Sequence, residues 1–130
     1  KEQQALQINS SGIPYENITW APLIQTVWVD QRMIDSVPIL IKIKELTSSK
    51  DLYNEGRRMH HCVGSYARDC HTGRIHIFSY TINDENTLTI ETDRSQILQI
   101  RGKYNRLPST NEKSIINQWA KKFNILYLNS

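Results

Sequence analysis

Cysteine is scarce in this chain, and long apolar runs are missing. The 130 residues include only Cys62 and Cys70, which cannot build a disulfide framework. We therefore expect free thiols in a reducing cytoplasm. Every apolar run stays far below the roughly 20 residues of a membrane-spanning helix, so we expect no membrane partner. The shares of hydrophobic (38%) and charged (22%) residues indicate a folded globular domain.

Positive charge is concentrated in the second half of the sequence. Residues 1–56 carry 5 Lys/Arg and 7 Asp/Glu, a net charge of −2, whereas residues 57–130 carry 11 and 6, a net charge of +5. A basic half permits contact with phosphates, but it is equally typical of an ordinary solvated surface. It makes a nucleic acid or nucleotide one candidate partner.

The residue pattern predicts a polar lead or linker over 1–19 and a single α+β domain over 20–130. Strands are predicted near residues 25–30, 39–44, 75–82, 88–93 and 96–101. Residues 47–51 offer helix N-cap chemistry, Gly56 predicts a break, and a second helix is predicted over 57–71, ending at Gly73. A last helix is predicted over 111–123. This order predicts a mainly antiparallel sheet, on which the motif-bearing helix 57–71 and the C-terminal helix pack.

The last two strands predict a hairpin with one apolar and one polar face. A turn over residues 93–95 would place Ile90 opposite Leu98 and Leu88 opposite Ile100, which collects the apolar side chains on one face. The other face would then carry Thr89, Glu91, Ile97, Gln99 and Arg101. This polar face suits either an ordinary exposed sheet surface or the floor of a site for a polar or anionic substrate.

Residues 56–71 hold the densest chemistry, with His60, His61, Cys62, Cys70 and His71. These are zinc-ligand types, but a helix would separate the two cysteines by about 12 Å, too far for one ion or a disulfide. We therefore expect no metal. The thiols also suit plain packing as small buried hydrophobes. The third interpretation is catalysis, because imidazole is the side chain best matched to proton transfer at neutral pH.

The run Met-His-His-Cys-Val-Gly-Ser-Tyr at residues 59–66 resembles the PcfJ-like family. Thr-Ile-Glu at 89–91 and Gln-Ile-Arg-Gly-Lys-Tyr-Asn at 99–105 extend the resemblance, which covers about residues 46–123. The resemblance implies a bacterial protein of plasmids, phages or other mobile elements, and it implies no settled mechanism. The family pattern marks His61, Cys62, Tyr66, Glu91, Gln99, Gly102 and Asn105.

Two hypotheses about function follow. The first is a nucleic-acid- or nucleotide-linked enzyme, hydrolase or transferase in type and without a cofactor, with His61 as acid or base and Glu91 as its carboxylate partner. Cys62 and Tyr66 would complete the catalytic group, with Cys62 either a nucleophile or a buried support. Substrate would be held by His60, Gln99, Arg101 and Asn105.

The second hypothesis is a non-catalytic adaptor of conjugation or phage machinery. It would bind DNA, RNA or a partner protein, and the His-His-Cys motif would then be structural. The hypotheses differ in what they require. An enzyme needs His61 and Glu91 at one shared pocket. An adaptor needs a continuous basic surface from Arg57 to Arg106 and no pocket.

Overall fold

The computed structural model describes residues 17–61 and 63–128, so most of the predicted polar lead and Cys62 lie outside the described residues. The strands are β1 (Trp28–Ile34), β2 (Val37–Leu46), β3 (His76–Ile82), β4 (Glu85–Thr92) and β5 (Ile97–Arg101). The helices are α1 (Ser49–Met59), α2 (Ala67–His71) and α3 (Thr110–Lys122), with a 3-10 turn at Val63–Tyr66. The predicted α+β class and the order of its elements are confirmed. No helix in these two ranges is long and apolar enough to cross a membrane.

The five strands form one antiparallel sheet in the order β1-β2-β3-β4-β5. Successive side chains of a strand point to opposite faces, so β3 shows which helix covers which face. Phe78 and Tyr80 pack in one cluster with α3, whereas Ile77 packs in another with α1 and α2. The helices therefore cover opposite faces of the sheet.

The α3 face of the sheet holds the larger core. Trp119 is fully buried at its centre, and its ring meets that of Phe78 edge-to-face at a centroid distance of 4.8 Å. Ser109 caps the helix, since its side chain accepts from the backbone of Glu112 and the Glu112 side chain accepts from the backbone of Ser109. The cluster also includes Ile41, Ile43, Leu88, Ile90, Ile100, Ile115, Ile116, Ala120 and Ile125.

The other face holds a smaller core under α1, the 3-10 turn and α2. Ser48 caps α1 by accepting from the Asp51 amide at 3.1 Å, in agreement with the predicted N-cap chemistry. The buried members of this cluster are Leu46, Leu52, Val63, Ala67, Cys70 and Ile77. With so few apolar residues, this face has room for buried polar groups.

The predicted single helix over residues 57–71 is wrong. The helix α1 runs through Gly56 to Met59 and ends at His60, which adopts the left-handed conformation (φ 55°, ψ 50°). Gly56 does not break the helix as predicted. It allows a close backbone approach, because a Cβ at this position would lie 3.0 Å from the carbonyl oxygen of His61. The missing side chain lets the chain fold back over the helix. The segment does end where expected, with Gly73 at φ 80°.

The predicted hairpin pairing is also wrong, by two residues. Ile90 lies opposite Ile100 rather than Leu98, and Glu91 lies opposite Gln99. A β-bulge beside Glu91 leaves Leu98 as the extra residue of β5, 46% exposed. The bulge interrupts the alternation, so Ile97 packs against the α3 core instead of joining the polar face. A shift of two residues preserves the faces, which is why the rest of the polar face is as predicted.

Candidate functional site

A cavity of about 150 Å³ opens between the end of α1 and the polar face of β4 and β5. It is lined by His61, Val63, Ser65, Tyr66, Ile77, Thr89, Glu91, Gln99, Arg101 and Asn105. Six predicted site residues therefore meet at one place, and their catalytic and binding roles stay predictions. Of the other two, His60 is exposed outside this lining, and Cys62 lies outside the described residues. Ligand pockets for drug-sized molecules are about 300–1,000 Å³, so this cavity suits a smaller group.

The pairing of β4 with β5 arranges the polar floor of the cavity. Thr89 lies opposite Arg101, and Glu91 lies opposite Gln99. Directly opposed side chains on one face come within about 5 Å at their Cβ atoms, so this register holds four polar groups side by side. The guanidinium of Arg101 also donates to the carbonyl of Ile100 at 2.8 Å, which uses one of its five N–H donors.

His61 reaches the floor from the reversal that follows α1. Its amide donates to the carbonyl of Gly56 at 3.2 Å, and its ring Nε2 lies 2.9 Å from the hydroxyl of Thr89. Thr89 donates its own proton to the Glu55 carboxylate, so Nε2 carries a proton that Thr89 accepts. The Nδ1 atom is buried and has no hydrogen-bond partner in any other described residue. Burial lowers the pKa of His61 below 6.5, although a hydrogen bond to its own backbone raises it, and the net shift favours the neutral ring at pH 7.

Glu55 is the residue at this site that the sequence analysis missed. It is 3% exposed, and its carboxylate accepts from Ser79 (2.9 Å), Asn86 (2.7 Å) and Thr89 (2.5 Å). Burial raises the pKa of Glu55 above 4.5, although these three hydrogen bonds lower it. A signal was available, because Glu55 stands three residues after the buried Leu52. A glutamate within the apolar stripe of a helix indicates a buried carboxylate with partners.

Glu91 is a second carboxylate at the site, and unlike Glu55 it lines the cavity. Burial, and then the nearby charge of Asp69, raise its pKa above 4.5. It makes no hydrogen bond to His61, nor any ion pair within residues 17–61 and 63–128. The carboxylate connected to His61 is therefore Glu55, through Thr89, whereas Glu91 faces the cavity from the strand beside it.

Comparison with known proteins identifies the family. A family model for PcfJ-like proteins matches residues 25–116. The chain belongs to the PcfJ-like family. No curated protein and no solved structure matches it. The match begins at residue 25, whereas the sequence resemblance predicted a beginning near residue 46. The PcfJ-like domain therefore includes β1 and β2 as well as the strands that line the cavity.

The second cysteine of this PcfJ-like domain, Cys70, belongs to the core and not to the cavity. It is 1% exposed, and burial raises the pKa of its thiol to about 12. A thiol this hard to ionise is a poor nucleophile and a poor metal ligand. In the described part of the chain, no group of three His, Cys, Asp or Glu side chains is placed to hold a metal ion.

The basic surface of the PcfJ-like domain is interrupted by acidic partners. Arg74 lies 3.7 Å from Asp69, and Arg106 makes two hydrogen bonds of 2.9 Å with Glu112. Ion pairs of this kind reduce the positive potential available to a phosphate backbone.

Proposed function

We propose that this PcfJ-like domain is an enzyme of hydrolase or transferase type that acts on a nucleotide or nucleic acid, with His61 as general base. One observation carries the proposal: an imidazole that is connected through Thr89 to the buried Glu55 carboxylate lines the same cavity as Glu91 and Arg101. Perturbed acid and base groups gathered in one cavity with a cation are typical of catalytic sites. The plasmid or phage context stays a prediction.

His61 would act through the hydrogen-bond chain behind it. In the proposed step, the cavity opens far enough for the substrate or its attacking water to reach Nδ1, which is buried in this structure, and Nδ1 takes a proton from it. The proton on Nε2 then passes to Thr89, whose own hydroxyl proton passes to Glu55. The ring ends neutral, and the proton rests on a carboxylate whose pKa is already raised by burial. This chain suits a base that must work in a partly buried site.

Glu91 and the polar floor would supply the other roles. With its pKa raised, Glu91 is better placed than an ordinary glutamate to hold a proton and give it to a leaving group. Arg101, Gln99 and Asn105 would hold a phosphate, for which the forked guanidinium is well matched. Tyr66 keeps its predicted catalytic role, and Cys62 keeps its predicted role as either a nucleophile or a buried support.

The adaptor hypothesis has less support. It required a continuous basic surface and no pocket, whereas this domain has a polar cavity and a surface on which Arg74 and Arg106 are paired with carboxylates.

Substitutions at the cavity, assayed on a panel of substrates, test the enzyme proposal. The full chain would be incubated with nucleoside triphosphates and with single-stranded and duplex DNA and RNA, and products would be separated by chromatography. We expect His61→Ala and Glu91→Gln to lower turnover by at least about 100-fold, as the loss of a general base or acid does.

Exposed residues of the same types provide matched controls: His71→Ala for His61 and Glu85→Gln for Glu91. We expect both controls to keep full turnover and all four variants to keep their melting temperatures within a few degrees. Turnover that survives both cavity substitutions, or no turnover on the whole panel, would overturn the proposal.

A further inference from the structure

We propose that the stacked rings of His60 and Tyr104 bind an unpaired nucleobase, whose attached phosphate group enters the His61 cavity. This inference rests on the proposed function and narrows it, because it names the part of the substrate that lies outside the cavity.

The two rings form an exposed platform. Their centroids are 4.5 Å apart, and their planes are inclined by 6°, a close parallel stack. Tyr104 is nevertheless 73% exposed, so the outer face of this short stack is open to solvent. An open aromatic face of this kind is the feature on which proteins stack single bases.

Both rings are held by unusual backbone conformations beside the cavity. His60 has φ 55° and Tyr104 has φ 55°, values that bulky residues seldom adopt. Each is followed directly by a residue that lines the cavity, His61 and Asn105 respectively. The platform is therefore fixed to the cavity at two points of the chain. Strained backbone at an exposed contact is typical of ligand-binding positions.

The cavity is large enough for only one part of a nucleotide. A volume of about 150 Å³ is half the lower limit for drug-sized ligands, so it admits a phosphate but not a whole nucleotide. The base of a nucleotide bound through its phosphate must then lie outside. The exposed rings next to the cavity residues offer it an apolar, flat surface.

The charge around the platform favours an anionic ligand. Arg57 and Arg58 occupy the last turn of α1, just before His60, and Lys103 precedes Tyr104; all three are exposed. A nucleotide unit combines what this surface offers, since it has a flat ring for the stack and a negative phosphate for the cations. The base must be unpaired and accessible, because in a duplex both of its faces are covered by its neighbours.

Binding of short fluorescent oligonucleotides to the full chain tests the platform. Fluorescence anisotropy would give the Kd for one sequence as a single strand and as a duplex, with adenosine monophosphate as competitor. A strand that carries 2-aminopurine would report stacking through the loss of its fluorescence. These measurements are independent of turnover.

Asparagine is the informative replacement for both rings, because it tolerates positive φ and so keeps the backbone. We expect Tyr104→Asn and His60→Asn to weaken single-strand binding about tenfold and to abolish quenching of 2-aminopurine. Tyr104→Phe should bind normally. Leu107→Ala is the control, since Leu107 is 68% exposed in the same loop and carries no ring.

The outcomes separate this inference from the enzyme proposal. Single-strand binding that Tyr104→Asn leaves unchanged, equal affinity for the duplex, or no binding at all would overturn the platform. If the strand binds through Tyr104 but is never converted, the platform stands and the enzyme proposal fails. If adenosine monophosphate displaces the strand, the natural ligand is a free nucleotide. If the strand binds and adenosine monophosphate does not displace it, the natural ligand is single-stranded nucleic acid.

Discussion

The two faces of the sheet differ in what they bury. The α3 face is covered by an apolar cluster around Trp119, and its side chains are those that an antiparallel strand pattern predicts. The α1 face has a smaller apolar cluster beside a buried network of Glu55, Ser79 and Thr89. Apolar burial stabilises a fold, whereas a buried carboxylate is costly even when it is fully hydrogen-bonded. The first face therefore contributes the larger share of apolar stabilisation, whereas the second combines a smaller apolar cluster with a buried carboxylate that costs stability.

The largest effect should come from the apolar face. We expect Trp119→Ala to lower the free energy of unfolding by about 3–5 kcal/mol, because it leaves a cavity where a fully buried ring packed against Phe78. Urea denaturation would measure it. Lys122→Ala, at an exposed position of the same helix, should change it by less than about 0.5 kcal/mol. A small loss for Trp119→Ala would mean that this face is not the main core.

A smaller loss of stability is expected from substitutions at the β-bulge, and it tests which residues of β5 belong to the α3 core. We expect Ile100→Ala to cost about 2–4 kcal/mol, because Ile100 is 5% exposed in the α3 core. Leu98→Ala should cost less than about 1 kcal/mol, since Leu98 is the extra, half-exposed residue of the bulge. The same denaturation assay applies. The reverse order would support the pairing of Ile90 with Leu98 and contradict the observed register.

The smallest effect concerns the polar face and appears as a dependence on pH. The pKa of Glu55 is raised in the folded state above its ordinary 4.5, so the folded state binds more protons than the unfolded state just above pH 4.5. The free energy of unfolding therefore falls as pH rises from 4.5 through the raised pKa. Glu55→Gln should remove this contribution, whereas Glu91, whose pKa is also raised, contributes with the same sign in both proteins.

Melting temperatures of the wild type and the variant, recorded from pH 4 to pH 8, would check the prediction for Glu55. The advantage of Glu55→Gln over the wild type should grow with pH. His61 contributes with the opposite sign in both proteins, because its pKa is lowered and stability is lost as pH falls below about 6.5. Glu85→Gln, at an exposed site, should follow the wild type. An unchanged pH profile for Glu55→Gln would contradict the burial argument.

Much of the polar face could be predicted from the sequence. The alternation in β4 and β5 placed Thr89, Glu91, Gln99 and Arg101 on one face, and they line the cavity or its floor. The exact pairing could not be predicted, because a slip of two residues keeps every side chain on its face. Only the bulge distinguishes the two registers, and it forms where Ile97 gains burial against the α3 core.

The sequence by itself determined the order of the elements, the apolar face of the sheet, the stripe of α3 and the polar residues that meet at the cavity. These depend on periodicity and on caps, which are properties of neighbouring residues. Tertiary structure alone decided that α1 ends at His60, that His61 contacts Thr89 across 28 positions and that Thr89 contacts Glu55 across 34. Such contacts depend on packing between distant segments, which local propensity does not encode.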